Sequence, residues 1–264
     1  MNYILLIVFG LAPSIIWLSY YLRKDVHPEP KTMVLKIFIY GAIITIPAVL
    51  LEICFQKGFD VISLLMSVSP SPSEISNLFR NGLLQISSLS YLSLLIFFLY
   101  NIIVIGFVEE FFKYLVVRYK VLNNPEFDEP VDAMIYMIIA GLGFAALENI
   151  LYLLPHLFPV IKFSETFQIT TIRFLGAVFL HTLCSATMGY FLALSIYEAK
   201  NRFKFLFIGL FIAGLLHGLF NYSIIIFEGS LKVLIPAVIL ISLALFVSLG
   251  FKKLKKMKSI CKVN

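Results

Sequence analysis

The chain has 264 residues, of which 60% are hydrophobic and 14% charged, with a net charge of +6. An ordinary soluble domain is roughly 45–50% apolar and 25% charged, so this balance excludes a water-soluble globule and predicts an all-α, polytopic membrane bundle. Apolar windows of about twenty residues, enough to cross a hydrocarbon core, recur along the whole sequence and leave no room for a separate soluble domain.

Seven spans are predicted in chain order, at about 3–22, 34–55, 91–118, 131–154, 170–197, 204–227 and 232–251. Met1 to Tyr21 lacks the basic n-region and small-residue cleavage site of a secretory signal, so it is read as a mature helix. The 56–90 segment, with its proline–serine centre, is expected to be a loop, part of it lying in the interface as an amphipathic helix. Residues 1–251 then form one membrane-embedded domain and 252–264 a basic cytoplasmic tail. That tail reads KKLKKMKSICK from Lys252, a run suited to anionic lipid headgroups rather than nucleic acid. Cys54, Cys184 and Cys261 show neither metal nor disulfide spacing.

Lysine and arginine set the orientation. Sixteen of the 21 fall after spans one, three and five or in the tail, while Lys57, Arg80, Lys162, Arg173 and Lys232 fall on the other side. The N-terminus is therefore expected outside and the C-terminus in the cytoplasm.

Charges inside hydrocarbon cost at least a few kcal/mol and usually mark function. Four groups stand out: Glu109, Glu110 and Lys113 in EEFFK; Phe144, Glu148 and Asn149 in FAALEN; His181 in FLHTLCSATMGYF; and His217 with Asn221 in HGLFN. Residues four apart share a helix face, so Glu109 stacks on Lys113, Phe144 on Glu148, and His217 on Asn221. Carboxylates and imidazoles around one cavity suit activation of water, with a further donor for an oxyanion. The same set suits a divalent metal such as zinc. A plainer reading puts Glu109 or Glu110 at the interface with Lys113 snorkelling to the cytoplasm. Glu52, Asp25, Glu29, Asp128, Glu129 and Asp132 read as boundary or loop charges.

At about 1.5 Å per residue, Glu109 lies roughly 14 Å from the cytoplasmic helix end, His217 about 20 Å, His181 about 24 Å and Glu148 about 25 Å. Straight helices would thus spread the four over about 10 Å, too far for one metal shell, with Glu148 remote from Glu109. Glycines 141, 143, 214 and 218 would permit close helix approach.

The ordered set EExxK, FxxxEN, a single His before Gly-Tyr-Phe, and HxxxN resembles the PrsW-type intramembrane proteases, relatives of the CAAX prenyl endopeptidases and CPBP proteins. The stretches DVHPEPK and DEPVDAMIYMIIAGLGFAALENILY extend the likeness over about residues 17–227. The resemblance implies an intramembrane endopeptidase in a multi-pass bacterial plasma-membrane protein. By it, Glu109 and Glu110 are the paired glutamates, His181 and His217 the motif histidines, and Asn221 the oxyanion donor. Glu148 stands where CAAX-type relatives carry histidine, which leaves both a metal-bound and a glutamate-activated water open. The implied substrate is a single-span anti-sigma factor cut first on its extracytoplasmic side, with the 56–90 segment as a place for it to dock. The competing classes are a non-catalytic scaffold subunit, which has no need of both glutamates and both histidines, and a proton-coupled transporter, which would predict internal repeats.

Overall fold

In the computed structural model, residues 3–24, 27–65, 91–154 and 163–257 are described, and these are helical with no strand among them. In chain order the helices are α1 (Tyr3–Leu22), α2 (Lys31–Leu65), α3 (Tyr91–Leu99), α4 (Val108–Lys120), α5 (Asp132–Leu153), α6 (Phe163–Leu175), α7 (Ala177–Tyr197), α8 (Arg202–Ile226) and α9 (Leu231–Leu254). Seven helical stretches among the described residues are long and apolar enough to cross a membrane, as the composition predicts.

Three boundaries differ from those expectations in ways that bear on function. Helix α2 runs on to Leu65 and takes the first ten residues of the expected 56–90 loop; residues 66–90, with the proposed docking segment, lie outside the described residues. The third span is not one α-helix, because Tyr100–Phe107 between α3 and α4 is wound as a π-helix. The fifth begins at Phe163 rather than 170 and breaks at Gly176, so Arg173 sits in the last turn of α6.

Helices α5 and α7 form the centre. Almost every residue from Asp132 to Ala146 and from Val178 to Ser195 is buried, whereas the other spans keep apolar outward faces. In a membrane, helices associate by close packing and polar contacts rather than by loss of water, and small residues set the spacing. A side chain at Gly141 of α5 would begin 2.3 Å from Ser185 Oγ of α7. One at Gly218 of α8 would begin 2.5 Å from Ile102 Cα, which seats the π-helical segment against α8. Two hydroxyls inside the bundle turn back on their own helix: Thr182 Oγ1 donates to Val178 O (2.7 Å) and Thr187 Oγ1 to Leu183 O (2.8 Å).

The loops of one pole are pinned together. His27 pairs with Glu129, Tyr136 OH donates to Glu29, and Asp132 Oδ2 accepts the backbone N–H groups of Asp128 (3.0 Å) and Glu129 (2.7 Å). Asp132 is buried and ties down the preceding loop, rather than being the wet loop charge expected. At the other terminus Lys252 and Lys253 still belong to α9, and Lys253 Nζ donates to Tyr190 OH (3.0 Å); residues 258–264 lie outside the described residues.

Gly141→Val is expected to push α7 from α5 and to cost about 1–3 kcal/mol, the usual range for overpacking. Gly58→Ala, where an added methyl meets nothing within 4 Å, should be neutral or stabilising. Thermal unfolding of both purified variants in detergent checks the contrast.

Candidate active site

The π-helical segment ends at Phe107, and the next turn presents Glu109 and Glu110 to the interior, facing α7 and α8. Lys113 follows on the same face. It does not snorkel: its side chain is fully buried, and its ammonium meets Glu109 Oε2 (3.2 Å), Glu110 Oε1 (2.7 Å) and His181 Nδ1 (2.7 Å). Three acceptors match its three N–H donors. The ring of Phe144 covers the ammonium at 4.4 Å, a cation–π contact that gains strength where water is absent.

The two glutamates are unequally occupied. Glu110 Oε1 accepts from Lys113 and from His217 Nδ1 (2.9 Å), and Oε2 from Ser185 Oγ (3.3 Å). Glu109 uses only Oε2; among the described residues its Oε1 has no hydrogen-bond partner. Glu110 is thus fixed and saturated, and Glu109 retains a free oxygen.

Hydrogen-bond chemistry also assigns the imidazole protons. An ammonium only donates, so His181 Nδ1 accepts from Lys113; its proton sits on Nε2 and is donated to Glu148 Oε2 at 2.7 Å. A carboxylate only accepts, so His217 carries a proton on Nδ1 toward Glu110, and its Nε2 lies 3.7 Å from Glu109 Oε2. The two rings meet edge to face at 4.9 Å.

Glu148 enters through His181. Its other oxygen, Oε1, accepts from Arg173 NH2 (3.0 Å), and Arg173 Nε donates to Asn149 Oδ1 (2.5 Å). The expected 10 Å spread is therefore wrong. The packing of α4, α7 and α8 on one another brings Glu109, His181 and His217 together, with one atom of each within 4.8 Å of the others. Glu148 lies one imidazole away from that trio, in keeping with its expected distance from Glu109 but not with isolation. Asn221 is the residue not brought in: half-buried one turn beyond His217, it makes no hydrogen bond among the described residues.

Sequence reasoning singled out Lys113 but missed Ser185 and Arg173. Lys113 was visible in EEFFK, four residues from Glu109. Ser185 lies four residues after His181, a signal of the same kind. Arg173 gave no such signal, since it reaches α5 from the far side of a helix break. Glu52 is not a boundary charge either. Its Oε1 is buried without a hydrogen-bond partner among the described residues, and the carboxyl lies within electrostatic range of Glu148 and Lys113.

A carboxylate and two imidazoles are a hydrolytic zinc set, and Glu109 Oε2 stands 3.6 Å from His181 Nδ1 and 3.7 Å from His217 Nε2. Donor chemistry and spacing fit a dication, provided Lys113 gives up the contact with His181 Nδ1 that it holds here. Exposure is confined to one end. The side chain of Glu148 is 28% exposed and that of Arg173 13%, against 6% or less for Glu109, Glu110, Lys113, His181 and His217.

Comparison with known proteins gives the family. A family profile described as PrsW family intramembrane metalloprotease matches residues 29–249. The chain is 28% identical to Protease PrsW of Bacillus subtilis over 95% of its own length and 94% of the relative's. It is 26% identical to Protease PrsW of Oceanobacillus iheyensis over 88% of each chain, and 28% identical to Protease PrsW of Clostridioides difficile over 89% and 86%. No solved structure matches it.

Replacing Lys113 by Met is expected to leave Glu109 and Glu110 buried without their cation and to cost about 3–5 kcal/mol, as breaking a buried ion pair does. Chemical or thermal unfolding in detergent, wild type against Lys113→Met, measures it.

Proposed function

This chain belongs to the PrsW family of intramembrane metalloproteases and is a multi-pass membrane peptidase, and from that premise we propose that Glu109 activates water for peptide hydrolysis while Glu110 holds the site in shape. The observation that carries the reading is the asymmetry of the pair: both oxygens of Glu110 are engaged, whereas Glu109 keeps Oε1 without a partner among the described residues, with its Oε2 3.7 Å from His217 Nε2.

A water held between Glu109 Oε1 and His217 Nε2 gives its proton to Glu109, and its oxygen adds to the carbonyl carbon of the scissile bond. The resulting oxyanion is met by the Lys113 ammonium once it has released one of its three acceptors, with Asn221 as a further donor on the face of α8 that carries His217. Glu109 then passes the proton to the departing amide nitrogen as the C–N bond breaks, leaving a carboxylic acid and an amine. His181, held between Lys113 and Glu148, keeps the ammonium aimed inward. A dication bound by Glu109, His181 and His217 would supply Lewis acidity toward water and carbonyl.

The substrate is proposed to be a single-span membrane protein of the anti-sigma factor type, cut first on its extracytoplasmic side in a bacterial plasma membrane. Two observations support that side. Lysine and arginine place the loop before α6 outside, and the exposed end of the network, Glu148 with Arg173, is fed from α6. The basic tail is proposed to rest on anionic lipid.

The test is cleavage of a single-span substrate by purified protein, with the cut mapped by mass spectrometry. Glu109→Gln should lower the rate by about 10²–10⁴-fold, the span of general acid–base catalysis, and His217→Ala should follow it. Glu110→Gln, which keeps an acceptor for Lys113 and His217, should lose less. Undiminished cleavage by Glu109→Gln would sink the assignment. Activity lost on chelation and restored by zinc assigns a metal to the trio; activity indifferent to chelation assigns the water to Glu109 and His217 alone.

A further inference from the structure

Arg173 belongs to no motif in this sequence and to no step above. Resting on the proposed catalytic site, the geometry points to Arg173 as a positioning residue: through Glu148 it holds His181 in its Nε2–H form, with Nδ1 turned to Lys113.

One guanidinium serves two neighbouring residues of α5. NH2 donates to Glu148 Oε1 at 3.0 Å, the contact the inward relay uses, and Nε to Asn149 Oδ1 at 2.5 Å. The guanidinium carbon also lies 4.5 Å from the ring centroid of Tyr152, four residues after Glu148. Neither end of this clamp is free to drift. Asn149 Nδ2 donates to Gly10 O of α1 (3.3 Å), and the residue after Arg173 is tied down by Trp17 Nε1 donating to Phe174 O (3.1 Å), with the Trp17 ring stacked on Phe174 and Phe179.

The consequence passes inward one bond at a time. Arg173 takes one oxygen of Glu148, so the other points at His181 Nε2. That acceptor keeps the imidazole proton on Nε2 and leaves Nδ1 to receive Lys113. The alternative tautomer would set an N–H against an ammonium 2.7 Å away. Without Arg173, Glu148 is a lone carboxylate at the exposed end of the network, free to turn outward, and His181 loses the acceptor that fixes its proton. Outer partners of a working histidine have this role in hydrolytic sites generally, and losing one costs about 10–100-fold in activity.

The experiment uses the full chain in detergent or liposomes, with Arg173→Gln and Arg173→Lys made alone and on Glu148→Gln. Two readouts are taken: kcat and KM for a single-span substrate, and the ¹⁵N spectrum of labelled histidines. Arg173→Gln should lower kcat by roughly 10–100-fold with KM little changed, and the Nε2–H signature of His181 should disappear. Arg173→Lys, which restores the cation facing Glu148, should recover most of both. On Glu148→Gln, Arg173→Gln should bring no further loss, because the two act in series. An unchanged kcat and spectrum in Arg173→Gln overturns the proposal, as do additive losses or a loss that Arg173→Lys fails to restore. Glu109→Gln in the same assay separates the levels. Its inactivity beside an indifferent Arg173→Gln overturns this proposal alone; its full activity overturns the catalytic reading and this proposal with it.

Discussion

A single buried ammonium organises the interior. A lysine head at membrane depth costs at least a few kcal/mol unless partners surround it, and Lys113 recruits them from three elements. Glu109 and Glu110 come from its own helix, His181 from α7 and the ring of Phe144 from α5. Each partner then commits the next: Glu110 fixes His217 and Ser185, and His181 fixes Glu148. The glycine contacts between α5 and α7 and along α8 let the helices come close enough for these bonds to form. Packing and electrostatics therefore specify the same arrangement, which is the consistency across levels expected of a sequence with one native state.

The paired glutamates divide their labour because of what surrounds them rather than what they are. Adjacent on the chain and equally buried, they differ in the number of donors that reach them. Three reach Glu110, from α4, α7 and α8, and one reaches Glu109. Saturation makes a carboxylate inert and well placed; an unclaimed oxygen leaves its neighbour able to work. The cation that neutralises them is also a competitor, since Lys113 touches two of the three atoms suited to a dication.

Much of this was legible in the sequence. The seven spans follow from composition, because a bilayer leaves helices as the only open-ended option for a chain so apolar. Glu109, Glu110, His181 and His217 were singled out by being ionisable inside those spans, and all four meet. What failed was the depth estimate, which assumed straight, independent helices. The π-helical run Tyr100–Phe107 and the break at Gly176 change where the residues after them stand, and no local pattern announces either. Lys113 had two readings, an inward pair with Glu109 and a snorkelling lysine, and its contacts favour the first. Arg173 was hidden because its partners lie 24 and 25 positions away across a loop. Asn221 had the right spacing from His217, yet spacing fixes a face and not a contact.

The pinned loops at the opposite pole carry one further consequence. Between the site and those loops the interior is apolar: Met33, Val34, Val116, Val117, Val131 and Ile135 are buried there, under the His27–Glu129 and Tyr136–Glu29 contacts. Among the described residues the polar network is thus exposed at Glu148 and Arg173 and rests on an apolar floor. A charge moved across a membrane is worth about 2.3 kcal/mol per 100 mV, so a hydrolase that carried water from face to face would drain the potential of the membrane it sits in. An apolar floor of this kind separates the acids and bases of the site from the opposite pole.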